Sequence, residues 1–224
     1  QAPNREPDMN FVSVNDQLAN IAQIVRRAPS IVLARAYVRA YRDFCNQTRW
    51  LKVNVAGATV SGTAQYDLGT DTYTQIIGVA AIRATDSQGQ RWNLQASISS
   101  QWDPNRGIDR PMAYAYVPDG QIALYATPNG VYDLLVSAIV QPKTETVSQV
   151  PAECLSKYSN EIEAGALAYL LMIPNEPWTN PQIAQAYAQQ FRSGISNAKA
   201  DVQRQHQSGS QRVMGRAFLI GGSR

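Results

Sequence analysis

Ile162-Glu163-Ala164-Gly165-Ala166-Leu167-Ala168-Tyr169-Leu170, followed by Pro174-Asn175-Glu176-Pro177-Trp178-Thr179-Asn180-Pro181, is the stretch that organises this chain. Its first half continues a helical face opened by Leu155, with Tyr158 (or Ser159), Ile162, Ala166, Tyr169 and Leu170 three or four residues apart. A glycine inside a helix costs roughly 1 kcal/mol against alanine. Gly165, with Ala164 and Ala168 as small neighbours, therefore predicts the close approach of another backbone. The second half is a rigid corner around Trp178. Pro174 stops one helix; Asn180 caps the next, and Pro181 takes its first position, where a missing N–H costs nothing. That last helix carries Ile183, Tyr187, Phe191, Ile195, Ala198 and Val202 and runs to about Gln207.

Towards the N-terminus the period changes to two. Leu51, Val53 and Val55 alternate with Lys52 and Asn54, and further strands are expected at Thr74 to Ile82, Arg91 to Ile98, Met112 to Val117, Gln121 to Tyr125 and Val131 to Val140. Asp86-Ser87-Gln88-Gly89, Asp119-Gly120 and Asn129-Gly130 read as tight turns, because glycine accepts positive φ and Asp or Asn tolerates it. Ser99 to Arg110 reads as a polar loop. Short strands punctuated every ten or so residues suggest an antiparallel β-sandwich or barrel-like module.

Two more helices precede the strands. Leu18, Ile21 and Val25 mark the first, capped by Ser13 or Asn15. After Pro29 and Ser30 the second runs to about Thr48, with an apolar stripe of Ile31, Ala34, Val38, Tyr41 and Cys45. Arg35, Arg39 and Arg42 sit on its other side and could face DNA or a neighbouring subunit. The chain is thus expected to be α+β. A four-helix assembly, two helices from each end (13–49 and 150–207), holds an inserted β module (50–149), with a flexible arm at 1–12 and an extended C-terminal tail at 208–224.

Composition excludes more than it identifies. The 224 residues are 44% hydrophobic but only 17% charged, below the usual quarter. A sparsely charged surface suits a protein that covers much of it with neighbours. The net charge of +3 is too small to argue nucleic-acid binding. No apolar run is long enough for a membrane span, and the polar, proline-containing start is not a signal peptide. Cys45 and Cys154 both fall in helical sequence, so reduced thiols in a cytoplasmic setting are expected.

No catalytic constellation emerges. The single histidine, His206, lies between Gln205 and Gln207 and has no carboxylate nearby in sequence. Zinc sites built from several His and Cys are excluded by count, and no cofactor motif occurs. Glu161 and Glu163 do not share a helix face. Asp67 with Asp71 reads as loop acids. Asp103 with Asp109 brackets a loop and leaves open a glycan-cleaving pair with a distant partner. The arginines of the second helix read as a solvated or subunit-facing side that pairs with acids such as Glu161 and Glu163, with nucleic-acid binding as the alternative. Past Ser208-Gly209-Ser210, the tail residues Val213, Met214, Phe218, Leu219 and Ile220 are apolar but too few to fold alone. They call for a partner or belong to a loose end.

Taken together, Tyr125-Ala-Thr-Pro128, Tyr132-Asp-Leu-Leu-Val136, Val150-Pro151, the Gly165 helix and the Pro174–Pro181 corner, then Ala184, Tyr187, Phe191, Ile195 and Ala198, resemble the head-to-tail adaptors of tailed bacteriophages, the short-tailed ones in particular. The resemblance spans about residues 111–205. It implies a non-enzymatic virion protein of the neck, present in the host cytoplasm during assembly, without cofactors, metals or membrane contact. It implies a ring of about twelve copies beneath the portal protein. The helices would form the wall, with Gly165, Ala168 and Trp178 in their packing. The β module would face a tail or nozzle protein, and DNA would pass through the channel without sequence-specific binding. The tail residues Val213, Met214, Arg216, Phe218, Leu219 and Ile220 would meet the portal. Another neck or tail-completion component is the nearest alternative.

Overall fold

The computed structural model describes residues 9–97 and 107–206. In chain order the elements are β1 (Phe11–Ser13), a 3-10 turn (Asn15–Gln17), α1 (Ala19–Ile24), α2 (Ser30–Thr48), β2 (Lys52–Ala58), β3 (Gln65–Asp67), β4 (Thr74–Thr85), β5 (Arg91–Ala96), β6 (Ile108–Asp109), β7 (Ala113–Val117), β8 (Gln121–Tyr125), β9 (Thr127–Pro128), β10 (Asp133–Pro142), β11 (Gln149–Pro151), α3 (Leu155–Leu171) and α4 (Pro181–His206). This is the expected α+β order, four helices around an inserted β module.

Seven strands form one sheet in the order β2-β10-β4-β5-β7-β8-β3. β2 and β3 follow one another in sequence yet lie at its opposite edges. Seven flat strands would separate those edges by roughly 29 Å, six spacings of about 4.8 Å. The seven Cα steps from Ala58 to Gln65 span at most about 25 Å. The sheet must therefore curl into a half-barrel. Hydrogen bonds along the link hold the curl: Thr59 N to Tyr132 O (2.9 Å), Gly62 N to Pro128 O (2.9 Å) and Leu124 N to Ala64 O (2.8 Å). The module is not wholly antiparallel, since β5 pairs with β7 in parallel at Gln95–Ala113 and Ala96–Tyr114. A parallel pair needs a crossover, and the segment between Ala96 and Ala113 supplies it.

Turn chemistry explains two of the three anticipated turns. The Asp86 carboxylate accepts from Gln88 N and Gln90 N, and Gly89 takes φ +80°. Asp119 and Gly120 both adopt positive φ between β7 and β8. Asn129-Gly130 is not a hairpin turn: neither residue has positive φ. It cannot join β8 to β10, because β8 is flanked by β7 and β3 while β10 lies between β2 and β4.

The helical unit uses both ends of the chain. Phe11 and Val12, in the stretch read as an arm, belong to β1, which pairs antiparallel with β11. α2 has a wider apolar face than the single expected stripe. Leu33, Tyr37, Val38, Ala40, Tyr41, Phe44 and Cys45 are buried, whereas Ile31 is 60% exposed. A one-stripe reading fails because α2 packs against α3, α4 and β10. Leu18, Ile21 and Val25 are buried as their spacing indicated, although no side chain caps α1. Cys45 and Cys154, distant in sequence, adjoin in this core; burial and the neighbouring Cys154 push the Cys45 thiol up.

Candidate interaction surfaces

The corner between α3 and α4 closes on itself. Asn180 Oδ1 accepts from Ile183 N (3.2 Å), capping α4 as the sequence indicated, and Asn180 N donates to Leu171 O (2.9 Å). Thr179 Oγ1 donates to Ile173 O and accepts from Glu176 N, and Asn175 takes the left-handed conformation (φ 62°) that asparagine tolerates. This compact corner meets the α1–α2 junction. Arg27, Pro29, Val32, Ile173, Glu176, Pro177 and Trp178 line an open cavity of about 430 Å³ between them. Trp178 is half-buried against the core, and its indole N–H is enclosed with no acceptor among the described residues.

Below the corner, α3 and α4 cross at two glycines. A Cβ on Gly165 would lie 2.8 Å from Phe191 Cδ2 and 3.1 Å from Ala40 Cβ. The neighbour that Gly165 admits is thus the ring of Phe191, not a second backbone. Gly194 admits Glu161 in the same way, with Glu161 Cγ and Cβ occupying the position of its missing Cβ. Ala168 is half-buried one turn along α3. The far end of the crossing is polar: Asp201 accepts from Lys157 Nζ and from Tyr158 OH (2.7 Å). Those donors hold the Asp201 carboxyl below its usual range.

Of the arginines on α2, Arg35 and Arg39 are exposed and Arg42 is half-buried. They do not pair with Glu161 or Glu163. Arg39 lies over the Tyr169 ring, 4.6 Å from its centroid, and Tyr169 OH donates to Asp43. Burial, reinforced by the Asp43 carboxylate, pushes the Tyr169 hydroxyl up to about 12. Glu163 instead accepts from Asn20 (3.3 Å), tying α1 to α3.

Two of the acids considered for catalysis, Asp71 and Asp109, bond to nearby backbone. Asp71 accepts from Tyr73 N, Thr74 N and Thr74 Oγ1 and so fixes the start of β4. Asp109 is exposed and accepts from Arg110 N (2.7 Å). Asp103 and the tail residues Val213, Met214, Arg216, Phe218, Leu219 and Ile220 lie outside the described residues, and His206 is the last residue of α4. Among the described residues no group of three His, Cys, Asp or Glu could hold a metal ion, and no helix is long and apolar enough to cross a membrane.

What the surface does offer is exposed apolar side chains in two sets. Ile24, Ile31, Met172 and Ile183 flank the corner cavity in sequence. Ile108 (67% exposed) of β6 and Val60, Met112 and Val131 of loops lie in segments that bonds such as Gly62 N to Pro128 O and Asn129 N to Asp109 O gather at one end of the curled sheet. Beside them Arg110 stacks on Trp92 (3.5 Å to the ring centroid), whose indole donates to Pro111 O (2.9 Å). Sequence reasoning missed this second set, because its residues are scattered from 60 to 131 and only the fold collects them.

Exposed apolar side chains at two sites suit a protein that works by contact with others. The sequence matches the model of the SU10 adaptor protein family over residues 9–214, and the chain belongs to that family, the head-to-tail adaptors of bacteriophages. It is therefore a component of the virion. No curated protein matches the sequence.

Proposed function

We propose that the protein assembles as a ring, of about twelve copies, between the portal and the tail of a short-tailed phage, where it extends the DNA channel and gives the tail proteins a platform. It acts without catalysis or cofactor, on the virion and, during assembly, in the host cytoplasm. The observation that carries this reading is the family match over residues 9–214. The two sets of exposed apolar residues agree with it, since a protein joining two different partners needs two surfaces and a ring needs heterologous contacts that close. Helical residues 13–49 and 150–207 would form the wall, and the β module at 50–149 would carry the tail-side surface. Val213, Met214, Arg216, Phe218, Leu219 and Ile220 would bind the portal, and Arg35 and Arg39 would face the channel or a neighbouring copy.

The test is to mix the purified protein with portal and measure the mass and image of the complex. A ring of adaptor on the portal is the expected result. Full ring assembly by a chain ending at Ser208 would refute the tail's role, and absence of any portal complex would refute the reading itself.

A further inference from the structure

The cavity at the α3–α4 corner combines an apolar wall with one charge of each sign. Val32, Ile173, Pro177 and Trp178 supply the wall, and Arg27 and Glu176 the charges. Both charged residues are exposed, and neither forms an ion pair with a described residue. The basin is held in shape by its own backbone. Asn180 N donates to Leu171 O (2.9 Å), Glu176 N donates to Thr179 Oγ1 (3.1 Å), and Arg27 turns the chain from α1 to α2 at φ 73°. Ile31 and Met172, on helices that meet here, are 60% and 56% exposed. An open apolar cavity with unpaired charges on its lining suits a protein segment that carries an apolar side chain beside charges of its own.

Such a segment lies on the sheet. β6 and the residue after it read Ile108-Asp109-Arg110. Ile108 is 67% exposed. Asp109 is exposed and Arg110 half-buried, and neither forms an ion pair with a described residue. The segment is fixed in place. It pairs in parallel with β9, Asn129 N donates to Asp109 O (3.1 Å), and the Arg110 guanidinium stacks 3.5 Å from the centroid of Trp92. A segment fixed before it meets a partner loses little freedom on docking. Met112, two residues after Arg110, is 58% exposed and widens the apolar contact.

We infer that Ile108-Asp109-Arg110 of one copy docks in the corner cavity of a second copy, with Ile108 entering against the apolar wall, Asp109 meeting Arg27 and Arg110 meeting Glu176. Charge decides the occupant: each sign on the segment finds its opposite on the cavity lining. Two corners brought face to face would leave both cavities unfilled, whereas an exposed side chain on a fixed strand fills one. The cavity belongs to the helical unit and β6 to the β module, so one copy can offer both at once. That is the heterologous contact a closed ring needs. The contact rests on the ring proposed above, of which it is the joint.

Charge reversal tests it on the full-length protein assembled on the phage's own portal, with copies per portal read by mass. Arg27→Glu and Asp109→Lys each set like charges across the contact, and each is expected to raise the protein concentration needed for ring assembly about tenfold or more. An equimolar mixture of the two variants is expected to assemble as the unaltered chain does, because an alternating ring restores opposite charges at every joint. Two chains that had merely lost their fold would not rescue each other. Assembly of either variant alone at the unaltered concentration, or two defective variants that the mixture does not restore, would overturn the contact and leave the ring standing. So would a defect confined to Arg27→Glu, which would give the corner to the portal. An unaltered chain that forms no ring on the portal would overturn ring and contact together.

Discussion

In the helical unit two glycines are places that other side chains occupy; in the curled sheet most face open space, and Gly78 and Gly120 meet neighbours only at 3.7–4.0 Å. Gly165 is filled by Phe191 and Gly194 by Glu161, whereas Gly57, Gly62, Gly89 and Gly130 have nothing within 4 Å of an added Cβ. The two regions therefore tolerate change differently. Helix crossings gain density by letting one chain enter the volume of another, and small changes there are felt at once. The half-barrel is held by its ladder and loop bonds, which leave side-chain space at most of its glycines. The lesson is that the helix crossings leave no slack, while the sheet leaves room at most of its glycines.

The largest effect should come from breaking that contrast at its tightest point. Gly165→Leu drives a side chain into Phe191 and Ala40, and chemical denaturation should show a loss of about 3 kcal/mol or more. Next is a buried bond within the helical unit, between α2 and β11. Tyr41 OH donates to Pro151 O (2.7 Å) in full burial, so Tyr41→Phe leaves that carbonyl unsatisfied and should cost about 1–3 kcal/mol in the same assay.

A smaller effect appears in alkali. The Tyr169 hydroxyl is raised to about 12, so the folded state favours its protonated form. That stabilisation is complete below the ordinary tyrosine value of about 10 and is lost as pH rises from there through about 12. Tyr169→Phe should lose less stability across this window. It should not abolish the decline, because burial also raises Tyr37, Tyr41 and Tyr158. The smallest change is Gly57→Ala in β2, expected to stay within about 0.5 kcal/mol of the unaltered chain. A large loss there would show that the sheet is packed as tightly as the helices and would remove the contrast.

Much of this fold is legible in sequence wherever the signal is local. The Asn180-Pro181 start of α4, the Asp86–Gly89 turn and the burial of Leu18, Ile21 and Val25 follow from spacing and cap chemistry alone. Errors arise where a distant partner decides. The exposure of Ile31 and the wide buried face of α2 depend on which three elements surround that helix. Asn129-Gly130 has turn composition, but sheet order leaves it no hairpin to close. Gly165 announces a close approach without saying that an aromatic ring makes it. The candidate surfaces were legible in part: Trp178 and the corner stand out as a motif, whereas Val60, Ile108, Met112 and Val131 become neighbours only through the loop hydrogen bonds.

The pairing of both chain ends in one helical unit also orders events during synthesis. Leu33, Tyr37 and Val38 of α2 are translated more than a hundred residues before α3, against which they pack. At about 5–20 residues per second, that face waits roughly 6–24 s for its partner, while the strands between are made and can pair among themselves. On the ribosome, then, the half-barrel can mature first, while α2 still lacks the helix that covers its apolar face.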